Sequence, residues 1–307
     1  MGDTPHLPVL YQEIITALDP KSPGRYVDGT VGAGGHAWGL LERSSPAGQL
    51  LGLDVDPQAL RLADARLAEF GKRATLRRAS YTKIRDELTG LGWESVQGIV
   101  LDLGASSMQF DTPLRGFSFQ AEGPLDMRFN PEAPTTAADL VNRLSERELS
   151  DLIWQYGEEP HARRIARAII AARPIETTSR LAEVISHASG RTHNRIHPAT
   201  RTFQALRIRV NHELEALEEV LPEAIGMLAP KGRLAVIAFH SLEDRIVKQF
   251  FTKEAHDCIC PPEQPVCTCG HHATIRLLTR HPIQASENEV KQNPRSRSAK
   301  LRVAERL

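Results

Sequence analysis

The segment YVDGTVGAGGHAWGLLE, Tyr26 to Glu42, runs from an apolar stretch ending at Asp28 through four closely spaced glycines into a helical pattern. A glycine-rich turn between a strand and a helix presents backbone N–H groups and a positive helix end to a ligand, and glycine is used because a Cβ would obstruct the turn or the ligand. Phosphate-, dinucleotide- and methyl-donor-binding proteins all share this device. A P-loop is excluded, since no G-K-[ST] follows the glycines. Gly32, Gly34 and Ala37 satisfy the permissive G-x-G-x-x-G/A pattern. Asp54, twenty positions after Gly34, supplies the carboxylate suited to paired ribose hydroxyls.

The alternation continues beyond this turn. RYVDG, QLLGLDVD, ATLRRAS and GIVLDLG read as four strands with apolar residues at consecutive positions, and helical patterns such as HAWGLLER and PQALRLADARLAEFG lie between the first three. Such strands are covered on both faces, so a parallel sheet is expected. After Gly104 about a hundred residues of helical pattern intervene. SERE, Ser145 to Glu148, is a capping box, and a long helix opening at Pro198 is expected to carry Phe203, Leu206, Val210, Leu214, Leu217 and Leu221 as one stripe. PKGRLAVIAFHS resumes the sheet, with TIRLLT and AKLRVAER as sixth and seventh strands, the last an antiparallel edge. The expected division is 1–107 and 213–307 for an α/β domain, and 108–212 for an inserted helical domain that overhangs the ligand crevice and recognises substrate.

Asp28, Asp54 and Asp102 end three of these strands. Each could be a strand-end turn cap, but three together point to one acidic crevice. Asp56 precedes Pro57 and reads as a helix N-cap with proline at N1.

Thirty-eight basic residues balance thirty-eight acidic ones, which taken alone argues against a nucleic-acid partner. The distribution reverses that reading. Ten arginines between His161 and Val210 face only Glu176 and Glu183, and Lys291 to Leu307 carries Lys291, Arg295, Arg297, Lys300, Arg302 and Arg306 against Glu305 alone. Two basic segments fit a polyanion-binding face, although any single arginine is more simply a solvated helix charge. No run of eighteen apolar residues and no signal-peptide pattern occurs, so a cytoplasmic protein without membrane partners or disulfides is expected. All four cysteines, Cys258, Cys260, Cys267 and Cys269, fall in HDCICPPEQPVCTCGHH, with His256, His271 and His272 flanking. Four thiols so concentrated read as a structural Zn²⁺ site, with free thiols or redox-sensitive disulfides as alternatives.

YVDGTVGAGGH, LDLGASSMQFD, RGFSF, GPLDMR, HPATRTFQALRI, FHSLEDRIVK and NPRSRSAKLR, in that order, closely resemble the bacterial small-subunit ribosomal RNA cytosine-N4 methyltransferases; the likeness runs from His6 to Arg306. The resemblance implies a class I, Rossmann-like, S-adenosylmethionine-dependent methyltransferase with a mostly parallel seven-stranded sheet and an inserted all-helical domain. It implies methylation of a cytidine N4 in the decoding region of 16S rRNA, on the assembled 30S subunit. Carried over by motif, the cofactor contacts are Gly34, Gly35, His36, Asp54, Tyr81, Asp102 and Gln109, with Tyr81 as an aromatic wall for the adenine or else a core residue.

The N4 lone pair is delocalised into the ring, so the enzyme gains from an acceptor that polarises the amino group and takes its proton. Asp102, Ser106 and His240 are the candidates, with Ser241 beside His240, which could equally be a hydrogen-bonded structural histidine. The [DNS]-P-P-[YFW] loop of other amino-methyltransferases is absent, LGASS standing after Asp102. Arg163, Arg164, Arg167, Arg195, Arg201, Arg295 and Arg297 form the pool for RNA contacts. An NAD-dependent oxidoreductase would account for the glycines and Asp54 but leave the basic insertion without a role. A non-catalytic RNA-binding factor would account for the arginines but not the crevice.

Overall fold

Strands β1 (Arg25–Asp28), β2 (Gln49–Asp54), β3 (Ala74–Arg78), β4 (Val96–Asp102), β5 (Leu228–Ala238), β6 (Ile275–Leu277) and β7 (Lys300–Arg306) form one sheet in the order β3-β2-β1-β4-β5-β7-β6. The structure is a computed structural model that describes residues 8–190, 197–261, 264 and 266–307. β1 to β5 pair in parallel, and β7 runs antiparallel to both β5 and β6. The order of connection reverses at β1, which lies between β2 and β4, and a ligand crevice is expected at the carboxyl ends of such neighbours.

Two compact units share the chain, Met1–Gly104 with Leu214–Leu307, and Ala105–Glu213. The first holds the sheet. Its helices are α1 (Tyr11–Leu18), α2 (Gly35–Arg43), α3 (Pro57–Leu67) and α4 (Ile84–Gly90). The second unit is helical, with α5 (Ser107–Asp111), α6 (Ala137–Arg143), α7 (Glu146–Gly157), α8 (Ala162–Ala171), α9 (Thr178–Ser189) and α10 (Ala199–Asn211). The chain then returns through α11 (Glu213–Met227), α12 (Ser241–Glu254) and α13 (Glu287–Gln292).

Successive strand residues serve opposite faces. Val27, Leu51, Leu53, Ile99, Leu101 and Val236 join one apolar cluster with Leu217 and Leu221 of α11 and Val247 and Phe251 of α12. Tyr26, Leu50, Val100, Ala235 and Ile237 join the other with Ile14 of α1, Leu40 of α2 and Leu67 of α3. Both faces are therefore dry, which is why these strands read as unbroken apolar runs. The helical unit has its own core, built on Leu149, Ile153, Ile165, Ile169, Leu181, Ile185, Phe203 and Leu206. Capping boxes start α6 at Thr136 and α7 at Ser145. Asn211 ties the end of α10 to the segment before α6, accepting from Phe129 N at 2.7 Å and donating to Met127 O at 2.8 Å. No helix among the described residues is long and apolar enough to cross a membrane.

Two expectations are corrected. β7 is antiparallel but is no edge: it lies between β5 and β6, and the three-residue β6 takes the border. Its charges suggested an exposed face, yet Arg302 Nε donates to Asp244 Oδ1 at 2.7 Å, and Glu305 receives Arg233 at 3.1 Å and Arg276 at 2.6 Å. The long helix from Pro198 is two helices, because His212 adopts a left-handed conformation (φ 52°) between α10 and α11. Phe203, Leu206 and Val210 belong to the core of the helical unit, Leu217 and Leu221 to that of the sheet unit.

Candidate active site

Asp54, Asp28 and Asp102 end β2, β1 and β4, three neighbouring parallel strands, so their side chains gather at one end of the sheet. The turn after β1 is built around them. Gly34 has φ +79°, the left-handed region, and a Cβ there would stand 3.3 Å from the backbone of Ala63. Gly35 opens α2, and a Cβ on it would meet Pro8 at 2.9 Å. Gly32 N donates to Asp54 Oδ2 and Asp56 N to Asp54 Oδ1, both at 2.9 Å. Thr30, which the sequence reading passed over, links two strand ends: its N–H donates to Asp28 Oδ1 at 3.2 Å, and its hydroxyl oxygen accepts from Asp102 N at 2.6 Å. Its signal was present in the DGT triplet, where a small hydroxyl residue directly follows a strand-end aspartate and glycine.

Burial shapes the electrostatics. It raises the Asp28 carboxyl to about 7, against partial relief from the Thr30 N–H, with Asp54 adding repulsion. Burial likewise lifts Asp54 to about 6 despite the N–H groups of Asp56 and Gly32. Asp102 is raised well above the usual carboxylate range by burial first, then by Asp28 and Glu243. Its side chain keeps 25% exposure, but Oδ1 is enclosed. Asp28 Oδ2 and Asp102 Oδ1 are buried without a hydrogen-bond partner. Such oxygens favour a ligand that brings donors and positive charge. S-adenosylmethionine, with its ammonium and sulfonium groups and its ribose hydroxyls, fits that demand.

His36 is buried, and its Nε2 donates to Val9 O at 3.0 Å. That bond leaves Nδ1 as the bare nitrogen of a neutral ring, 3.9 Å from Asp102 Oδ2, and burial depresses its pKa to about 4. Tyr81 follows β3 in a one-turn segment, its Cβ 3.2 Å from where a Cβ on Gly29 would lie, and it packs on the core. Gln109 and Ser106 belong to the helical unit and engage each other. Gln109 Oε1 accepts from Ser106 N at 3.0 Å, and Ser106 Oγ accepts from Gln109 N at 3.3 Å, capping α5.

His240 is the N-cap of α12. Its Nδ1 accepts from Glu243 N at 3.4 Å, and its Nε2 stands 3.1 Å from Glu243 Oε1. Glu243, absent from the sequence-based candidates, is a buried carboxylate whose negative charge helps raise the Asp102 pKa. Its sequence signal was the H-x-x-E spacing of a capping box. Asp56 is a cap as expected, accepting from Gln58 N at 2.9 Å.

Arg163, Arg164 and Arg167 share the exposed face of α8, opposite buried Ile165 and Ile169. Arg164 donates to Ser189 O at 2.9 Å, Arg167 lies 3.5 Å from Glu146, and Arg201 donates to Glu158 O at 3.2 Å. Arg297 is exposed and Arg295 half-buried, whereas Lys300 and Arg302 are paired with Asp244. Arg195 lies outside the described residues.

A sheet ordered in this way, with acidic groups where a P-loop would bring a lysine, is that of a class I S-adenosylmethionine-dependent methyltransferase. The chain belongs to the MraW methylase family, which it matches over residues 3–307. It is 54% identical to a ribosomal RNA small subunit methyltransferase H of Dehalococcoides mccartyi, over 100% of this chain and 88% of that protein. It is 52% identical to the protein of the same name from Thermomicrobium roseum, over 99% and 94%. Among solved structures, an rRNA methylase from Streptococcus thermophilus aligns with 97% of this chain and 93% of its own, at 12% identity and a TM-score of 0.41, a distant likeness that adds nothing to the assignment.

Proposed function

We propose that this methyltransferase acts on 16S rRNA, placing a methyl group on the exocyclic N4 of a cytidine in the decoding region of the assembled small subunit. The observation that carries the reading is the trio Asp54, Asp28 and Asp102 on adjacent strand ends, with two enclosed oxygens lacking partners, in a chain of this family. The names of its relatives supply the substrate class. A substrate of that kind puts the enzyme in the cytoplasm.

When bound, S-adenosylmethionine supplies an electrophilic methyl group on a sulfonium centre. Gly34 and Gly35 shape the turn that would face it, Asp54 would accept from its ribose hydroxyls, Tyr81 would provide an aromatic wall, and Asp28 would face its positive charge. His36 supports the site from behind as a neutral ring. The acceptor nitrogen loses one proton for the methyl it gains, and Asp102 is the group assigned to accept it. The positive charge of the bound cofactor would favour the ionised form of Asp102, and burial makes that carboxylate a stronger base than an ordinary one. Ser106 and His240 act through the caps they form on α5 and α12. Residues 108–212 form the substrate-recognition part, with Arg163, Arg164, Arg167, Arg201 and the tail arginines Arg295 and Arg297 steadying phosphates around an unstacked base. A zinc ion on the four cysteines takes no part in this reaction, since α12 leads away from the strand ends to the first of them.

The test is transfer of labelled methyl from S-adenosylmethionine to small subunits lacking the modification, followed by nuclease digestion and mass spectrometry. N4-methylcytidine that disappears in folded Asp102→Ala protein supports the reading. Incorporation into another base, or none at all despite cofactor binding, overturns the assigned acceptor.

A further inference from the structure

The excursion between α12 and β6 brings four thiols together. Cys258 and Cys267 Sγ lie 3.5 Å apart, Cys260 and Cys267 4.0 Å, Cys267 and Cys269 3.5 Å, and Cys258 and Cys269 3.9 Å; all four sulfurs lie within 4.8 Å of one another. Sulfurs placed tetrahedrally at about 2.3 Å from a zinc ion are about 3.8 Å from each other. A disulfide would bring a pair to about 2.05 Å. A polynuclear iron–sulfur cluster would force the thiolates further apart, because several metal and sulfide ions lie between them.

We infer that Cys258, Cys260, Cys267 and Cys269 bind a single zinc ion as a tetrathiolate site that staples this excursion. Backbone donors already point at the sulfurs: Ile259 N donates to Cys269 Sγ at 3.5 Å and Cys260 N to Cys258 Sγ at 3.4 Å, as thiolate ligands require for orientation and charge.

Two of the flanking histidines are engaged elsewhere: His256 Nδ1 meets Thr252 O at 2.5 Å and His271 Nε2 meets Lys253 O at 3.1 Å, both at carbonyls near the end of α12. Among the described residues, the ligand atoms that converge here are the four sulfurs. Among the described residues of the tip, Ile259 is 44% and Val266 68% exposed. The base is clasped by Thr274 N to Glu254 O at 2.8 Å and Ala273 N to Asp257 Oδ1 at 3.1 Å. Binding releases four protons from the thiols and leaves a site of charge −2. Lys248 and Lys253 line the adjoining hollow with Cys258. α12 is fourteen residues long, so its two ends lie about 20 Å apart. The staple is thus a structural element, independent of methyl transfer.

The experiment uses the full chain, expressed with zinc and dialysed into metal-free buffer with a phosphine reductant. Elemental analysis should find about one equivalent of zinc, and a Cys267→Ser/Cys269→Ser variant below about a tenth. Cobalt replacement in the wild-type chain should give the visible d–d and thiolate charge-transfer bands of a tetrahedral tetrathiolate. That spectrum decides alone if the variant does not fold. Protease cleavage between Cys258 and Cys269 should begin only after chelation. Zinc below a tenth of an equivalent with freely titratable thiols, disulfides found by mass spectrometry without reductant, or the spectrum of an iron–sulfur cluster would each overturn the inference.

Discussion

The amide of Gly32 donates to Oδ2 of Asp54 at 2.9 Å, so the glycine turn after β1 is fastened by the carboxylate that ends β2. One residue holds the loop in shape and, in the proposed reading, also accepts from the ribose. Asp54→Asn keeps one acceptor and the side-chain volume, whereas Asp54→Ala releases both Gly32 and Asp56. Calorimetric titration should show S-adenosylmethionine affinity reduced about tenfold or more in each, and only the alanine variant should lose about 1–2 kcal/mol of stability. An asparagine variant with undiminished affinity would remove Asp54 from the cofactor site.

The buried carboxyls set an unusual pH dependence. Asp28 and Asp54, at about 7 and about 6, hold protons in the folded protein that the unfolded chain has already released near pH 4 and above. Their contribution to stability is full at low pH and is lost as pH rises through these folded values. His36 acts oppositely: its folded value of about 4 lies below its ordinary 6.5, so acidification through that window destabilises. Between about pH 8 and 6.5 the carboxyls dominate, and the ligand-free thermal midpoint should rise by a few degrees as pH falls. Cofactor affinity should fall over the same range, because protonation discharges the groups that meet its positive charge. Asp28→Asn should reduce the thermal effect, with Asp54 and Asp102 supplying the remainder; a wild-type midpoint that drops from pH 8 to 6.5 contradicts the assignment.

His240 separates a capping role from a catalytic one. Asparagine caps a helix well, so His240→Asn should leave kcat within about threefold, while His240→Leu should cost about 1 kcal/mol of stability. A loss of kcat beyond about a hundredfold in folded His240→Asn would return the imidazole to the chemistry.

The exposed arginines of α8 should act as phosphate contacts. Arg163→Ala and Arg167→Ala should each raise KM for the RNA substrate, leave the cofactor Kd unchanged, and lower the salt dependence of RNA binding by about one unit of slope. An unchanged slope in both makes them solvated helix charges.

Much of the fold was legible because both faces of β1, β2 and β4 are buried, which writes their positions as apolar runs; capping at Asp56 and Ser145 was equally local. What escaped depends on distant partners. Arg302 and Glu305 gave β7 the look of an edge, and only Asp244, Arg233 and Arg276, far away in sequence, neutralise them. The break at His212 left no periodic trace, since the apolar stripe continues across it into a different core. At the site, the acidic trio could be read from strand ends; Thr30 and Glu243 left only local signals in DGT and H-x-x-E, because the parts they play depend on which strand lies beside which. The local exchange between Ser106 and Gln109 was hidden for another reason: a five-residue helix has too few turns to announce itself.

The place of β7 has a consequence for biosynthesis. Among the described residues β6 pairs with β7 alone, and β5 has β7 as its second neighbour, yet β7 follows both in the sequence. As the chain is made, β5 therefore keeps one open edge, and Asp244 stays without Lys300 and Arg302, until the segment from Lys300 to Arg306 has emerged. The nascent sheet is a template completed from its late side, exposed to mispairing with other chains until then.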